Sequence, residues 1–151
     1  MRQVFREEVR SMADCVNFHF DIDGENFSSA GEASVRIKKL LRQMEFSSEI
    51  IRRVSVAMYE GEINMVIHAN GGSADVNVYP DRIEMILSDR GPGISDIDLA
   101  MQEGYSTAPD NIRSLGFGAG MGLPNMKRYT DDMRIESEVG KGTTVTMTVK
   151  V

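Results

Sequence analysis

The order of predicted elements indicates an α+β protein, a two-layer sandwich in which a mixed, mainly antiparallel sheet carries helices on one face. Three observations predict this class. Residues 16–23 alternate apolar and polar side chains, which is typical of a half-buried strand. The stretches 31–44 and 52–69 follow directly and have the apolar content and length of helices. Two pairs of alternating segments, within 74–88 and 133–151, are each joined by a short turn and predict antiparallel hairpins.

The composition predicts one globular, cytoplasmic domain. The chain has 151 residues, of which 41% are hydrophobic and 26% are charged, enough for a single sizeable core. Its net charge of −6 argues against a nucleic-acid-binding surface, which needs clustered basic residues. Cys15 is the only cysteine, so a reduced compartment is expected and no cysteine metal cluster is available. Residues 1–15 are charged and lack the apolar segment of a signal peptide, and they are predicted to form an arm or a short helix. No apolar run in the sequence is long enough to span a membrane.

The first predicted strand and helix are ordinary structural elements. In the strand Val16–Asp23, His19 lies on the polar face and is interpreted as a solvated side chain rather than a metal ligand. Ser28 or Ser29 is predicted to cap the helix over 31–44, with Glu32 completing a capping box from Ser29.

The helix over 52–69, capped by Ser47 or Ser48, carries a polar pair on a largely apolar cylinder. Glu60 and Asn64 are four residues apart and therefore lie on one face, one turn from each other. A carboxylate and a carboxamide in this arrangement can serve a hydrated magnesium ion. The alternative is a surface-facing polar stripe on an amphipathic helix.

Two neighbours of this pair are notable. Glu62 is offset by about 200° from Glu60 around the helix, so it is interpreted as a surface or partner-side residue. Gly61 stands where a good helix former is expected, at a cost of about 1 kcal/mol relative to alanine. A close approach by a lid or a ligand would explain it, and so would a tolerated irregularity.

A hairpin of strands 74–79 and 83–88 leads into Asp89-Arg90-Gly91-Pro92-Gly93. Here a carboxylate at the end of a strand is followed by two glycines, which allow backbone to approach a ligand closely. The alternative is a turn of favourable composition without further function.

The rest of the chain contains a short helix over 96–102 capped by Ser95, a long polar segment over 103–122, a helix over 123–129 and the closing hairpin. A loop of this length in a small domain is usually functional, often as a lid. Glycines that lead into a helix can form a phosphate cradle, and a flexible linker is the alternative. The alternating glycines of this segment are Gly116, Gly118, Gly120 and Gly122.

Three of these motifs in order resemble the Bergerat-type (GHKL) ATP-binding superfamily of histidine kinases, gyrase B, Hsp90 and MutL. They are Glu60 with Asn64, then Asp89-x-Gly91-x-Gly93, then the glycine-rich run 116–122. The chain is most similar to the anti-sigma-factor serine/threonine kinases. The segment "GYSTAPDNIRSLGFGAGMGLPNMKRYTDD" resembles their lid and following helix, and "IESEVGKGTTVTM" resembles their closing hairpin. Parts resemble the stressosome switch kinase, and the Arg113-containing lid resembles the sporulation anti-sigma kinase.

The resemblance implies ATP and Mg²⁺ as cofactors and assigns roles to the residues of the motifs. It makes Asn64 the Mg²⁺ ligand, Glu60 the general base, and Arg113 the cation that reaches the γ-phosphate. Asp89 accepts a hydrogen bond from the adenine amino group, and Gly91 and Gly93 let the loop lie against the base. Adenine is further supported through a water by one of two residues, Thr143 or Thr144. The lid positions of the family fall on Ser106, Thr107 and the four glycines from Gly116 to Gly122.

The resemblance leaves two functions open. The first is an ATP-dependent protein-serine kinase that phosphorylates a STAS-domain anti-sigma antagonist. The second is a nucleotide-controlled protein that sequesters a sigma factor or another partner, with little or no kinase activity. The catalytic part of a histidine kinase is disfavoured, because no helix pair with a phosphoacceptor histidine is recognised before the domain. A homodimer is an expectation from the family alone, and neither nucleic acid nor membrane is expected as a partner.

Overall fold

The computed structural model describes residues 15–25, 27–102 and 122–151. Five strands and four α-helices follow one another in the described residues, with a short 3-10 helix over Phe27–Ser29 between β1 and α1. They are β1 (Val16–Asp23), α1 (Glu32–Gln43), α2 (Ser48–Ala69), β2 (Gly71–Val78), β3 (Arg82–Ser88), α3 (Ile97–Ala100), α4 (Gly122–Arg128), β4 (Asp132–Glu138) and β5 (Gly142–Lys150).

The strands form one sheet in the order β1-β2-β3-β5-β4, and all four described pairings are antiparallel. Alternate residues of β2, β3 and β5 are buried, and they pack with α1 and α2 into one core. The predicted α+β class with helices on one face is confirmed. The prediction allowed for a mixed sheet, and none of the described strand pairs is parallel. Among the described helices, none is long and apolar enough to cross a membrane.

The start of α1 differs from the prediction. Its N-cap residue is Gly31, whose φ of 97° lies in the left-handed region. A glycine has no side chain that could cap the helix. Instead the carboxylate of Glu62 in α2 accepts hydrogen bonds from the backbone N–H groups of Gly31, Ala33 and Ser34, at 3.0, 3.2 and 2.6 Å. Both the predicted capping box and the surface position of Glu62 are therefore wrong. Glu62 is only 2% exposed. This carboxylate can be buried because it accepts hydrogen bonds from the free N–H groups at the start of a neighbouring helix.

The long helix α2 begins and ends at polar caps. Ser47 accepts a hydrogen bond from the N–H of Ile50, which selects Ser47 from the two predicted caps. The helix ends at Asn70, whose φ of 56° lies in the left-handed region. The predicted stop at Gly71-Gly72 is displaced by one residue, since those glycines already belong to β2. Similarly, Asp96 rather than Ser95 caps α3, accepting from the N–H of Leu99 at 3.0 Å.

Candidate functional site

Glu60 and Asn64 face the beginning of α4. A Cβ atom placed on Gly122, the first residue of that helix, would lie 3.8 Å from Oε2 of Glu60 and 3.9 Å from Oδ1 of Asn64. The two oxygens therefore point toward the same place, as their spacing on one helical face predicts. Both side chains are half-buried rather than fully solvated. The alternative of a surface-facing polar stripe does not describe them, because another helix covers this face.

The environment of Glu60 changes its acidity. Burial raises the pKa of the Glu60 carboxyl, and a hydrogen bond from Asn125 partly opposes that increase. The bond joins Nδ2 of Asn125 to Oε1 of Glu60 at 3.4 Å. Sequence reasoning missed Asn125, although its position three residues after Gly122 places it one turn along α4 and on the same side.

Asp89 is held by the strand that pairs with its own. Its Oδ1 accepts from the N–H of Gly91 at 2.8 Å and from the N–H of Thr143 at 3.2 Å. Its own N–H donates to the carbonyl of Thr143 at 2.9 Å. Its Oδ2 has no hydrogen-bond partner among the described residues, so one carboxylate oxygen is fixed and the other is open to a ligand donor.

The two glycines of the Asp89 loop are required by neighbouring backbone. A Cβ on Gly91 would lie 2.8 Å from the Cα of Ala69 at the end of α2. Gly93 has φ 79°, and a Cβ there would lie 2.9 Å from the Cα of Val139. The loop is therefore pressed between the end of α2 and the β4–β5 turn, which positions Asp89 beside both.

The structure separates the two threonines that the sequence left as alternatives. Thr143 follows the buried alternation of β5, is 8% exposed and lies beside Asp89 on the helix-covered side of the sheet. Thr144 points to the opposite face, where its Oγ1 lies 3.1 Å from Oγ of Ser88. Thr143 is thus the better placed of the two for a ligand held by Asp89.

His68 lies one turn beyond Asn64 on the same face of α2. Burial lowers the pKa of the His68 imidazole, and the negative charge of Asp89 partly opposes that decrease. His68 therefore lies in the region between Asn64 and the Asp89 loop.

Among the described residues, packing against the sheet explains Gly61. A Cβ at this position would collide with the Cδ2 atom of Leu87 in β3 and would lie 3.5 Å from the sulfur of Met126 in α4. The missing side chain allows α2 to approach the sheet at the level of Glu60, whereas the distance to α4 is an ordinary van der Waals contact. The interpretation of Gly61 as a tolerated irregularity is therefore wrong.

Several predicted site residues lie outside the described residues. They are Ser106, Thr107, Arg113, Gly116, Gly118 and Gly120. Of the predicted phosphate-cradle glycines, Gly122 alone is described, and it lies beside Glu60 and Asn64.

Comparison with known proteins identifies relatives along most of the chain. Residues 49–151 match the profile of the histidine kinase-, DNA gyrase B-, and HSP90-like ATPase family. The chain is 29% identical over 141 residues to an anti-sigma F factor of Priestia megaterium, covering 89% of this chain and 90% of the relative. It is 30% identical to the serine/threonine-protein kinase RsbT of Bacillus subtilis, covering 72% and 78%. It is 33% identical to an anti-sigma F factor of Clostridium acetobutylicum, covering 78% and 82%.

A solved structure shares the fold. It contains the RsbU and RsbW domains of a Mycobacterium tuberculosis protein, with a TM-score of 0.61 and 17% sequence identity. The match covers 89% of this chain and 32% of that one, so this chain spans about a third of the length of the solved chain.

Proposed function

The chain belongs to the histidine kinase-, DNA gyrase B-, and HSP90-like ATPase family, and we propose that it transfers the γ-phosphate of ATP to a serine of a STAS-domain partner. Within the family it is an ATP-binding serine/threonine kinase of the anti-sigma regulatory class, as its similarity to RsbT and to anti-sigma F factors indicates. The resemblance inferred from the sequence motifs is confirmed. The observation that carries the proposed transfer is the convergence of Glu60 and Asn64 at the start of α4.

The residues at this place fit a magnesium nucleotide. Mg²⁺ commonly takes one or two protein oxygens and completes its shell with water and substrate phosphates. Asn64 offers one such oxygen, that of its side-chain amide. The described residues contain no group of three or more acidic, histidine or cysteine side chains that could hold a metal without a bound nucleotide. In the proposed site, Asn64 ligates Mg²⁺ through Oδ1, and the bound ion supplies positive charge for the phosphate oxygens.

Glu60 is proposed as the general base. A base works best when its pKa lies near the working pH, and burial moves the pKa of this carboxyl upward from its ordinary value. In the proposed reaction the carboxylate accepts the proton of the serine hydroxyl as the serine oxygen bonds to the γ-phosphorus. The bond from that phosphorus to the bridging oxygen of ADP breaks, and ADP leaves.

Asp89 and Thr143 are proposed to select adenine. The open Oδ2 of Asp89 is an acceptor, and the exocyclic amino group of adenine is a donor, whereas guanine presents a carbonyl oxygen at the corresponding position. Thr143 is proposed to support the base from beside Asp89, and Gly91 and Gly93 to keep the loop close to it. These assignments rest on the geometry of the Asp89 loop together with the family motif.

The remaining roles rest on the family motif, and all of these residues except Gly122 lie outside the described ranges. Arg113 is proposed to reach the γ-phosphate, where phosphoryl transfer develops negative charge. The lid residues Ser106 and Thr107 and the glycines Gly116, Gly118, Gly120 and Gly122 are proposed to enclose the triphosphate.

The transfer is tested by incubating the purified chain with its cognate STAS-domain protein, Mg²⁺ and γ-labelled ATP. The expected result is label on one serine of the partner, and a Glu60→Gln variant that labels it at least about a hundredfold more slowly, since general-base catalysis typically contributes that much. Glu49→Gln is the matched control, because Glu49 is exposed in the first turn of the same helix. Tight ATP binding without labelling of the true partner would refute the proposed transfer.

The names of several relatives favour a second candidate, in which the protein sequesters a sigma factor under nucleotide control. In this case a sigma factor is retained by the immobilised chain more strongly with ATP or ADP than without nucleotide. A homodimer is proposed for either function from the family resemblance alone, and sedimentation of the purified chain tests it.

A further inference from the structure

The Glu60 carboxylate uses its two oxygens differently. Oε1 accepts from the amide Nδ2 of Asn125 at 3.4 Å, whereas Oε2 faces Gly122 beside the amide oxygen of Asn64. Within the described residues, Asn125 provides the only hydrogen bond to this carboxylate. Without that donor the carboxylate could rotate about its last torsion, which is broad for glutamate.

The direction of the Asn125 amide is fixed by Arg128. Nη1 of Arg128, one turn along α4, donates to Oδ1 of Asn125 at 3.3 Å. An arginine only donates, so the oxygen of the amide faces Arg128 and the nitrogen faces Glu60. The order Arg128, Asn125, Glu60 therefore forms a directed chain of donors that ends on the carboxylate.

The position of Asn125 is fixed because α4 is attached to α2 beyond this contact. Near the start of α2, Arg53 donates through Nε to the carbonyl of Tyr129 at 3.2 Å and pairs through Nη2 with Asp131 at 3.2 Å. Closer to Glu60, Gly61 lies next to Met126 of α4: a Cβ placed on Gly61 would lie 3.5 Å from the Met126 sulfur, an ordinary contact distance. Helix α2 thus contacts α4 next to the Glu60–Asn125 pair and binds the chain just beyond the end of α4.

We propose that Asn125 is a positioning residue, which holds Oε1 of Glu60 so that Oε2 is the oxygen presented to the serine hydroxyl. This inference rests on the proposed function of Glu60 as the base. The separation of 3.4 Å is long for such a bond, and hydrogen bonds of this kind commonly shorten when the substrate complex forms.

The experiment compares two asparagine–glutamate pairs of the same chain. On the open face of the sheet, Nδ2 of Asn77 donates to Oε1 of Glu84 at 3.3 Å, and Oδ1 of Asn77 accepts from Asn17 at 2.8 Å. This pair reproduces the hydrogen bonding of Asn125 away from the candidate site. Asn125→Ala, Asn125→Asp, Asn77→Ala and Asn77→Asp are made in the full chain, and ATP affinity and single-turnover transfer to the STAS-domain partner are measured for each.

Asn125→Ala is expected to slow single-turnover transfer about tenfold, because one orienting contact is lost, while the Kd for ATP changes by less than about twofold. Asn125→Asp, which keeps the shape but replaces the donor by an acceptor, is expected to be at least as slow. Both Asn77 variants should transfer at the wild-type rate. Wild-type transfer by Asn125→Asp, or an equal loss in both pairs, would overturn the proposal.

A second readout needs no transfer. In the ¹⁵N spectrum of the nucleotide-free protein, Glu60→Gln should shift the side-chain NH₂ signals of Asn125 and leave those of Asn77 in place. Unmoved Asn125 signals would overturn the contact. If the wild-type chain labels no partner, the proposed transfer fails, and these signals still decide whether Asn125 holds the Glu60 carboxylate.

Discussion

Replacing Glu62 by alanine should lower the free energy of unfolding by about 3–5 kcal/mol. The side chain is 2% exposed and satisfies three backbone N–H groups at the start of α1. A buried donor that loses its partner costs about 1–3 kcal/mol, and a carboxylate at a helix N-terminus in a partly buried setting adds up to about 2 kcal/mol. Burial raises the pKa of the Glu62 carboxyl, so removing a buried charge returns part of this loss.

The assay is urea or thermal unfolding of the purified chain. A loss of about 3–5 kcal/mol corresponds to a decrease in Tm of roughly 6–20 °C for a protein of this size. Glu62→Gln keeps one acceptor oxygen and should lose less, about 1–2 kcal/mol, which keeps the comparison available if the alanine variant does not fold.

Glu32→Ala is the matched control, because Glu32 is exposed in the first turn of the same helix α1. It carries the same charge near the same N-terminus but accepts none of the three N–H bonds, so its expected change is about 0.5 kcal/mol. Equal stability of Glu62→Ala and Glu32→Ala would refute the assignment of Glu62 as the cap of α1.

Two further predictions concern packing and pH. Gly61→Ala should destabilise the fold by about 1–2 kcal/mol in urea unfolding, because overpacking against the buried Leu87 exceeds the gain of about 1 kcal/mol in helix propensity. A more stable variant would contradict this. Hydrogen bonds to Asp75, and to a smaller extent to Asp21, raise the pKa of the His19 imidazole above its ordinary value of 6.5. Protonated His19 therefore stabilises the folded protein fully below pH 6.5, and this stabilisation is lost as the pH rises through the higher pKa of the folded state. The difference in Tm between wild type and His19→Gln should therefore shrink from acid to alkaline pH, and a constant difference would contradict the assignment.

The sequence contains the periodic elements and the site motif, because both depend on local spacing. The alternation of Val16–Asp23 defines β1 with the observed bounds, and Ser47 is one of the two caps proposed for α2. The faces of α2 follow from 100° per residue, which places Glu60 with Asn64 and turns Glu62 away from them. What this angle does not give is the identity of the neighbour on each side. The sequence predicts a surface or partner-side position for Glu62, because nothing local to it reveals that the N-terminus of α1 lies opposite.

The same limit explains Gly61 and Asn125. A glycine inside a helix indicates a close approach, but the approaching side chain, Leu87, is distant in sequence. Asn125 lies 65 residues from Glu60, and none of the three motifs that carry the resemblance gives it a role, so the contact appears only when α4 is placed beside α2.

Three consecutive residues of α2 thus serve three different neighbours. Glu60 faces α4, Gly61 faces β3 and Glu62 faces α1, within the roughly 200° that three residues span. Because the contacts are separate, their losses should be separable: substitution of Glu62 acts on stability, substitution of Glu60 acts on transfer, and substitution of Gly61 acts on packing next to both. The helix that carries the proposed base is therefore fixed in rotation by Glu62 and in depth by Gly61, which is the condition for Glu60 and Asn64 to keep a constant geometry toward a bound nucleotide.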